Sequence, residues 1–234
     1  MASTVLSYQK TEFSRGLLAG SSIAIGYLPA AITFGLLAKG TGLTFIEAMA
    51  MSMFVFAGAA QYMALNLLAI GTGAFEVIFT TFIVNIRHLL MSASVNERVE
   101  DAHPVIKACY SFGLTDEVFA VTSTQEGKVK TGFIFGVAIM AYFSWVLNTG
   151  IGYVVGSALP DSLQQSMAIA LYAMFIALLM PSLKKQRKVV ILASSAAVLN
   201  SFFSIMLPSG WSIILATLFA SLAVEYILPQ KGDS

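Results

Sequence analysis

Apolar residues run along this chain in long continuous stretches, not in two-residue alternation. Seven stretches, residues 16–38, 44–68, 74–95, 131–155, 163–180, 189–207 and 211–228, each approach the roughly 20 residues that cross a bilayer as a helix. An eighth, residues 104–124, is apolar at its ends and interrupted by Asp116 and Glu117. It reads as crossing, re-entering or lying at the interface. The pattern predicts an all-α, polytopic transmembrane helix bundle, with about seven crossings plus one weak or re-entrant segment. Residues 1–234 read as one membrane domain. A β-barrel is disfavoured, because its strands alternate over about ten residues.

Composition strengthens this reading. The chain is 57% hydrophobic and only 11% charged, with mean hydropathy +0.81. A soluble domain carries charge on about a quarter of its residues, so most of this surface must face lipid. The apolar stretch near the N-terminus runs on to Ala38, too long for a signal peptide, and is expected to stay as the first helix. The run Lys184, Lys185, Arg187 and Lys188 belongs on the cytoplasmic side. Seven and eight crossings both satisfy that rule, and they differ on where the N-terminus lies.

Charge and cysteine content exclude other classes. A net charge of +1 gives no basic field for nucleic acid. Cys109 is the only cysteine and His103 the only histidine besides His88, so no metal motif forms and no cofactor is expected. There is no Walker A loop and no intramembrane protease signature, so the chain does not read as an enzyme.

A weak internal similarity appears when residues 35–63 are slid onto 152–180, an offset of 117. It suggests repeat halves at 16–95 and 131–207, inverted with seven crossings and parallel with eight. Pro29, flanked by Gly26 and Gly35, predicts a kink or break in the first helix, for packing or for a site. In "FAGAAQ", residues 56–61, the four small residues suit close helix packing. Gln61 needs hydrogen-bond partners and is a better site candidate, with Phe56 beside it.

The third stretch carries the most informative chemistry, "TTFIVNIRHLLMSAS" over residues 80–94. At about 100° per residue, Thr81, Asn85, His88 and Ser92 share one stripe, and Arg87 lies on another face. A central arginine costs roughly 2.5–3.5 kcal/mol on insertion scales, so this helix should be surrounded by protein or water. Asp116 and Glu117 are the expected counter-charges. Arg87 is either part of a transport site or one half of a structural ion pair. His88 suits a proton carrier or a plain hydrogen-bonding residue.

"FAGAAQ" (56–61), "NIRHLLMSAS" (85–94), "LTDEVFA" (114–120) and "LPAAITFG" (28–35) together resemble the AzlC family of bacterial inner-membrane proteins. The similarity is strongest over about residues 16–125. The resemblance implies export of leucine, isoleucine, valine and methionine, and a small AzlD-type membrane subunit encoded separately.

The expected mechanism is a secondary transporter coupled to the proton gradient. Arg87 would hold the substrate carboxylate. Asp116 or Glu117 would take the ammonium or a proton. Asn85, Gln61 and the backbone near Pro29 would complete a polar shell. Phe56, Phe82 and nearby methionines would line an apolar pocket. The rival readings are a non-transporting scaffold or receptor subunit, and a passive channel.

Overall fold

The computed structural model describes residues 11–207 and 209–228. Nearly all of that chain is helical: α1 (Glu12–Gly40), α2 (Phe45–Ala50), α3 (Gly58–Ala69), α4 (Ala74–Arg98), α5 (Pro104–Phe112), α6 (Asp116–Ser123), α7 (Thr131–Val155), α8 (Asp161–Lys185), α9 (Arg187–Met206) and α10 (Ser209–Ile227). A π-helical turn (Met51–Val55) prolongs α2, and a 3-10 turn (Gly156–Ala158) follows α7. Extended pairing among the described residues is one isolated bridge, Val99 to Val129. Five of the helices, α1, α4, α7, α9 and α10, are long and apolar enough to cross a membrane. The chain is a polytopic helical membrane protein.

α1 and α7 form its central pair. They lie side by side and run in the same direction, and glycines set their separation. A Cβ on Gly35 would stand 2.1 Å from the Thr149 carbonyl, and one on Gly152 would stand 2.0 Å from the Ile32 carbonyl. At the other end of the pair, a Cβ on Gly16 would stand 2.1 Å from the Phe133 carbonyl. Backbones this close leave no room for side chains, which is the small-residue packing that membrane helices use when apolar burial gives no net drive. Gly35 and Gly152 are also the residues superposed by the 117-residue slide. α1 runs unbroken through Pro29. The predicted kink site is served instead by side chains: Thr33 Oγ1 donates to the Pro29 carbonyl at 2.9 Å, and Tyr62 donates to the Ala30 carbonyl at 2.7 Å.

The break occurs in the next segment, which hydropathy alone reads as one crossing. Thr44 and Glu47 form a capping box that starts α2 beside the end of α7, where Tyr153 donates to the Leu43 carbonyl at 2.8 Å. The chain then returns along α7. Ser52 Oγ meets Thr149 Oγ1 at 2.8 Å, and Tyr142 donates to the Met53 carbonyl at 3.0 Å. At Phe56 the backbone turns left-handed, φ 39° and ψ 47°. α3 then doubles back, with Gln61 Nε2 donating to Ser52 Oγ at 3.1 Å. Residues 45–69 are therefore a re-entrant hairpin.

Residues 104–124 form a second one, entering from the opposite end. Pro104 opens α5 just past the end of α4, and Tyr110 donates to Asn96 Oδ1 at 3.4 Å. Halfway along α4, His88 Nδ1 lies 3.0 Å from the Leu114 carbonyl. The chain reverses there, Thr115 caps α6, and α6 returns to where α5 began. Arg98, at the end of α4, donates to the Ser123 carbonyl at 2.9 Å and to the Gln125 carbonyl. Of the three readings open for this segment, the structure takes the re-entrant one. The two hairpin tips meet, with Phe56 and Phe112 ring centroids 6.4 Å apart.

The remaining helices close the bundle. Gly210, at the start of α10, packs on Glu76 and Thr80 at the start of α4. Lys188 pairs with Glu225 at 2.6 Å and ties the start of α9 to the end of α10. α1, α4, α7, α8, α9 and α10 thus traverse the bundle, and two opposed hairpins fill its middle. Both described ends of the chain lie at one face. Arg15, Arg98, Lys128, Lys130 and the basic run 184–188 share that face, whereas Lys39 lies at the other. By the positive-inside rule this asymmetry predicts a cytoplasmic position for the basic face.

Candidate functional site

The hairpin tips, α1, α4 and α7 converge on one narrow, partly open space. Tyr27, Phe56, Ala57, Gly58, Ala59, Arg87, His88, Thr115, Asp116, Glu117 and Trp145 line it. The elements dictate this composition. Each tip places the start of a short helix in mid-bundle, and α4 supplies Arg87 and His88 opposite the acidic first turn of α6.

The polar groups are interlocked. Arg87 Nη1 lies 2.8 Å from Asp116 Oδ2, with the arginine side chain 38% exposed and the aspartate 22%. Tyr27 donates to Glu117 Oε2 at 2.5 Å and lies 2.8 Å from Thr115 Oγ1. A carbonyl only accepts, so His88 donates from Nδ1 to the Leu114 carbonyl. In the neutral imidazole the lone pair then falls on Nε2, which is buried without a hydrogen-bond partner. The space free to a water molecule's centre is about 20 Å³, room for a water but not for an aliphatic side chain.

Five of the residues singled out in the sequence are brought together here: Arg87, His88, Asp116, Glu117 and Phe56. Four are placed elsewhere. Gln61 is fully buried behind the tip in a chain of hydrogen bonds with Ser52 and Thr149. Pro29 lies inside unbroken α1, away from the lining. Asn85, also outside the lining, has a buried Oδ1 without a hydrogen-bond partner. Phe82 is 57% exposed on the outer face of α4 and is not among the residues that line this space. Sequence reasoning passed over Tyr27, Thr115, Trp145 and the backbone of Ala57–Ala59. The only signal for the last group was the absence of side chains in "AGAA".

The family model described as AzlC protein matches residues 22–159. The chain belongs to the AzlC family. The match takes in both hairpins, α4, α7 and α1 from residue 22 onward, and so every residue that lines the site. AzlC-family relatives extend over most of the chain. A membrane protein of Archaeoglobus fulgidus is 34% identical over 212 residues, 90% of this chain and 93% of its own. The inner membrane protein YgaZ of Escherichia coli is 28% identical over 84% of this chain and 83% of its own. The branched-chain amino acid transport protein AzlC of Bacillus subtilis is 26% identical over 88% of this chain and 81% of its own. No solved structure matches this chain.

Proposed function

We propose that this chain is the large subunit of a secondary transporter that exports branched-chain amino acids across a bacterial inner membrane. It works with a small AzlD-type membrane subunit and is driven by the proton gradient. The carrying observation is the mid-bundle cavity itself, where carboxylates, a guanidinium and an imidazole meet between the tips of two oppositely oriented hairpins. Ionisable groups at this depth mark substrate and proton pathways, and opposed broken helices flank transporter sites. The printed name of the Bacillus relative supplies the substrate class.

In this reading Glu117, held by Tyr27, receives the substrate ammonium or a proton. Arg87 is occupied by Asp116 and joins α4 to the tip of the second hairpin. Loading a solute requires the tips to part, because the space between them is too narrow. The aromatic rings of Phe56 and Phe112 then line the widened site. Burying a leucine-sized side chain there is worth roughly 1.5–3 kcal/mol, which separates leucine from alanine but not from isoleucine.

The test is leucine flux in membrane vesicles with the small subunit co-expressed, at matched protein levels. Wild type is expected to show flux that needs the partner and collapses when the proton gradient is dissipated. Arg87→Ala is expected to lose it. Flux unchanged in Arg87→Ala contradicts the role of the Arg87–Asp116 pair. Flux that survives loss of the gradient supports a channel, and its absence in an intact wild-type complex supports a scaffold.

A further inference from the structure

The polar space has no room for the hydrocarbon of an aliphatic amino acid, yet apolar room lies next to it. A groove runs between α5 and α7, with about 300 Å³ free to a water molecule's centre. Phe112, Gly113, Ala138, Ile139, Tyr142 and Phe143 are among the residues that line it. Close packing sets its floor: a Cβ on Gly113 would stand 2.7 Å from the Ala138 Cβ, and both residues are buried. Phe112 and Phe143, both exposed, stand at its rims. The Tyr142 hydroxyl is already engaged, donating to the Met53 carbonyl at 3.0 Å. What the groove offers a ligand is aromatic and aliphatic surface.

One aromatic layer separates this groove from the polar space. Phe56 lines the polar space. Its ring packs edge-on against Tyr142, with centroids 5.0 Å apart, and lies tilted against Phe112 at 6.4 Å. Tyr142 and Phe112 both line the groove. Phe56 therefore has the charged groups on one side and the groove's wall on the other. It is also the residue at which the first hairpin reverses, so its ring moves with the tip when the tips part. An α-amino acid carries its two charges on one carbon and its hydrocarbon directly beyond. It needs a polar and an apolar compartment in contact, and displacement of Phe56 creates that contact.

We propose that this groove receives the aliphatic side chain of the transported amino acid, with Phe56 as the movable partition between it and the charged groups. This rests on the amino-acid reading above and names the part of the site that ranks substrates. Leucine, isoleucine and valine gain from the apolar walls in proportion to the area they bury. Alanine ends at the partition and gains little. Because the rims are exposed, an acyl chain of the bilayer is the rival occupant.

The experiment uses the full chain with its small subunit in vesicles. It measures inhibition of labelled leucine flux by unlabelled alanine, valine, leucine and phenylalanine, which share the same charged groups. Ile139→Trp fills the groove from its edge. It is expected to raise the inhibition constant of leucine about tenfold and to leave that of alanine unchanged. Phe143→Ala widens the groove. It is expected to lower the inhibition constant of phenylalanine about tenfold, with alanine again unchanged. Equal shifts for alanine and leucine, or an unchanged ranking in both variants, overturn the side-chain pocket while leaving the transport reading intact. An acyl chain seated in the groove gives the unchanged ranking. No leucine flux in an intact wild-type complex overturns both readings. If Ile139→Trp fails to assemble, Phe143→Ala, a truncation at an exposed position, still decides.

Discussion

Tyr27 ties α1 to the second hairpin through a single hydroxyl, shared between Glu117 and Thr115. Tyr27→Phe removes the donor and leaves a largely enclosed carboxylate without it. The expected cost is about 1–3 kcal/mol, read as a lower melting temperature of the purified complex, with leucine flux reduced. An unchanged melting temperature and unchanged flux contradict the importance of that bond. The Arg87–Asp116 pair was legible in the sequence, because a guanidinium at mid-membrane demands a counter-charge and few acids were on offer. Tyr27 and Trp145 were not legible. Aromatic residues are common in membrane helices, and only three-dimensional contact separates these two from the rest. Pro29 and Gln61 drew attention for sound local reasons; the Thr33 hydroxyl donates to the Pro29 carbonyl and Ser52 accepts from Gln61 Nε2, while Gln61 Oε1 stays buried without a hydrogen-bond partner.

At the scale of elements, hydropathy identified the apolar segments and missed one reversal. In residues 104–124, Gly113 and two acids betrayed the interruption. In residues 44–68 nothing polar marks the turn, and the reversal rests on Phe56, the only non-glycine residue with positive φ among the described residues. A left-handed non-glycine residue costs roughly 1–2 kcal/mol, a strain concentrated at the site. Both hairpins make a topological prediction. In a Cys109→Ser background, Glu100→Cys and Glu126→Cys are expected to react with an impermeant maleimide from the same, cytoplasmic side. Reaction from opposite sides means that residues 104–124 cross. The α1–α7 contact predicts that Gly35→Val, which drives a side chain into the Thr149 carbonyl, prevents assembly of the folded protein, measured as loss of a monodisperse peak after detergent extraction. A monodisperse peak at wild-type yield contradicts the close approach.

For the whole molecule, the bundle surrounds a polar centre with lipid-facing helices, and charge at its two faces sets its orientation. Phe75, Ile78, Phe82, Ile86 and Leu89 make an exposed apolar stripe on α4, while Arg87 and His88 turn inward. The membrane class and the charge asymmetry could be read from composition and loop charge alone. The direction of each hairpin could not, because hydropathy counts length and not direction. The central claim is that solute binds between the two tips. The most direct measurement is the labelling rate of Ala59→Cys in a Cys109→Ser background, with the small subunit present, in the absence and presence of saturating leucine. The account predicts that leucine slows labelling at position 59 while lysine, at the same concentration, does not. Equal rates with and without leucine, in a complex that still transports it, place the substrate elsewhere.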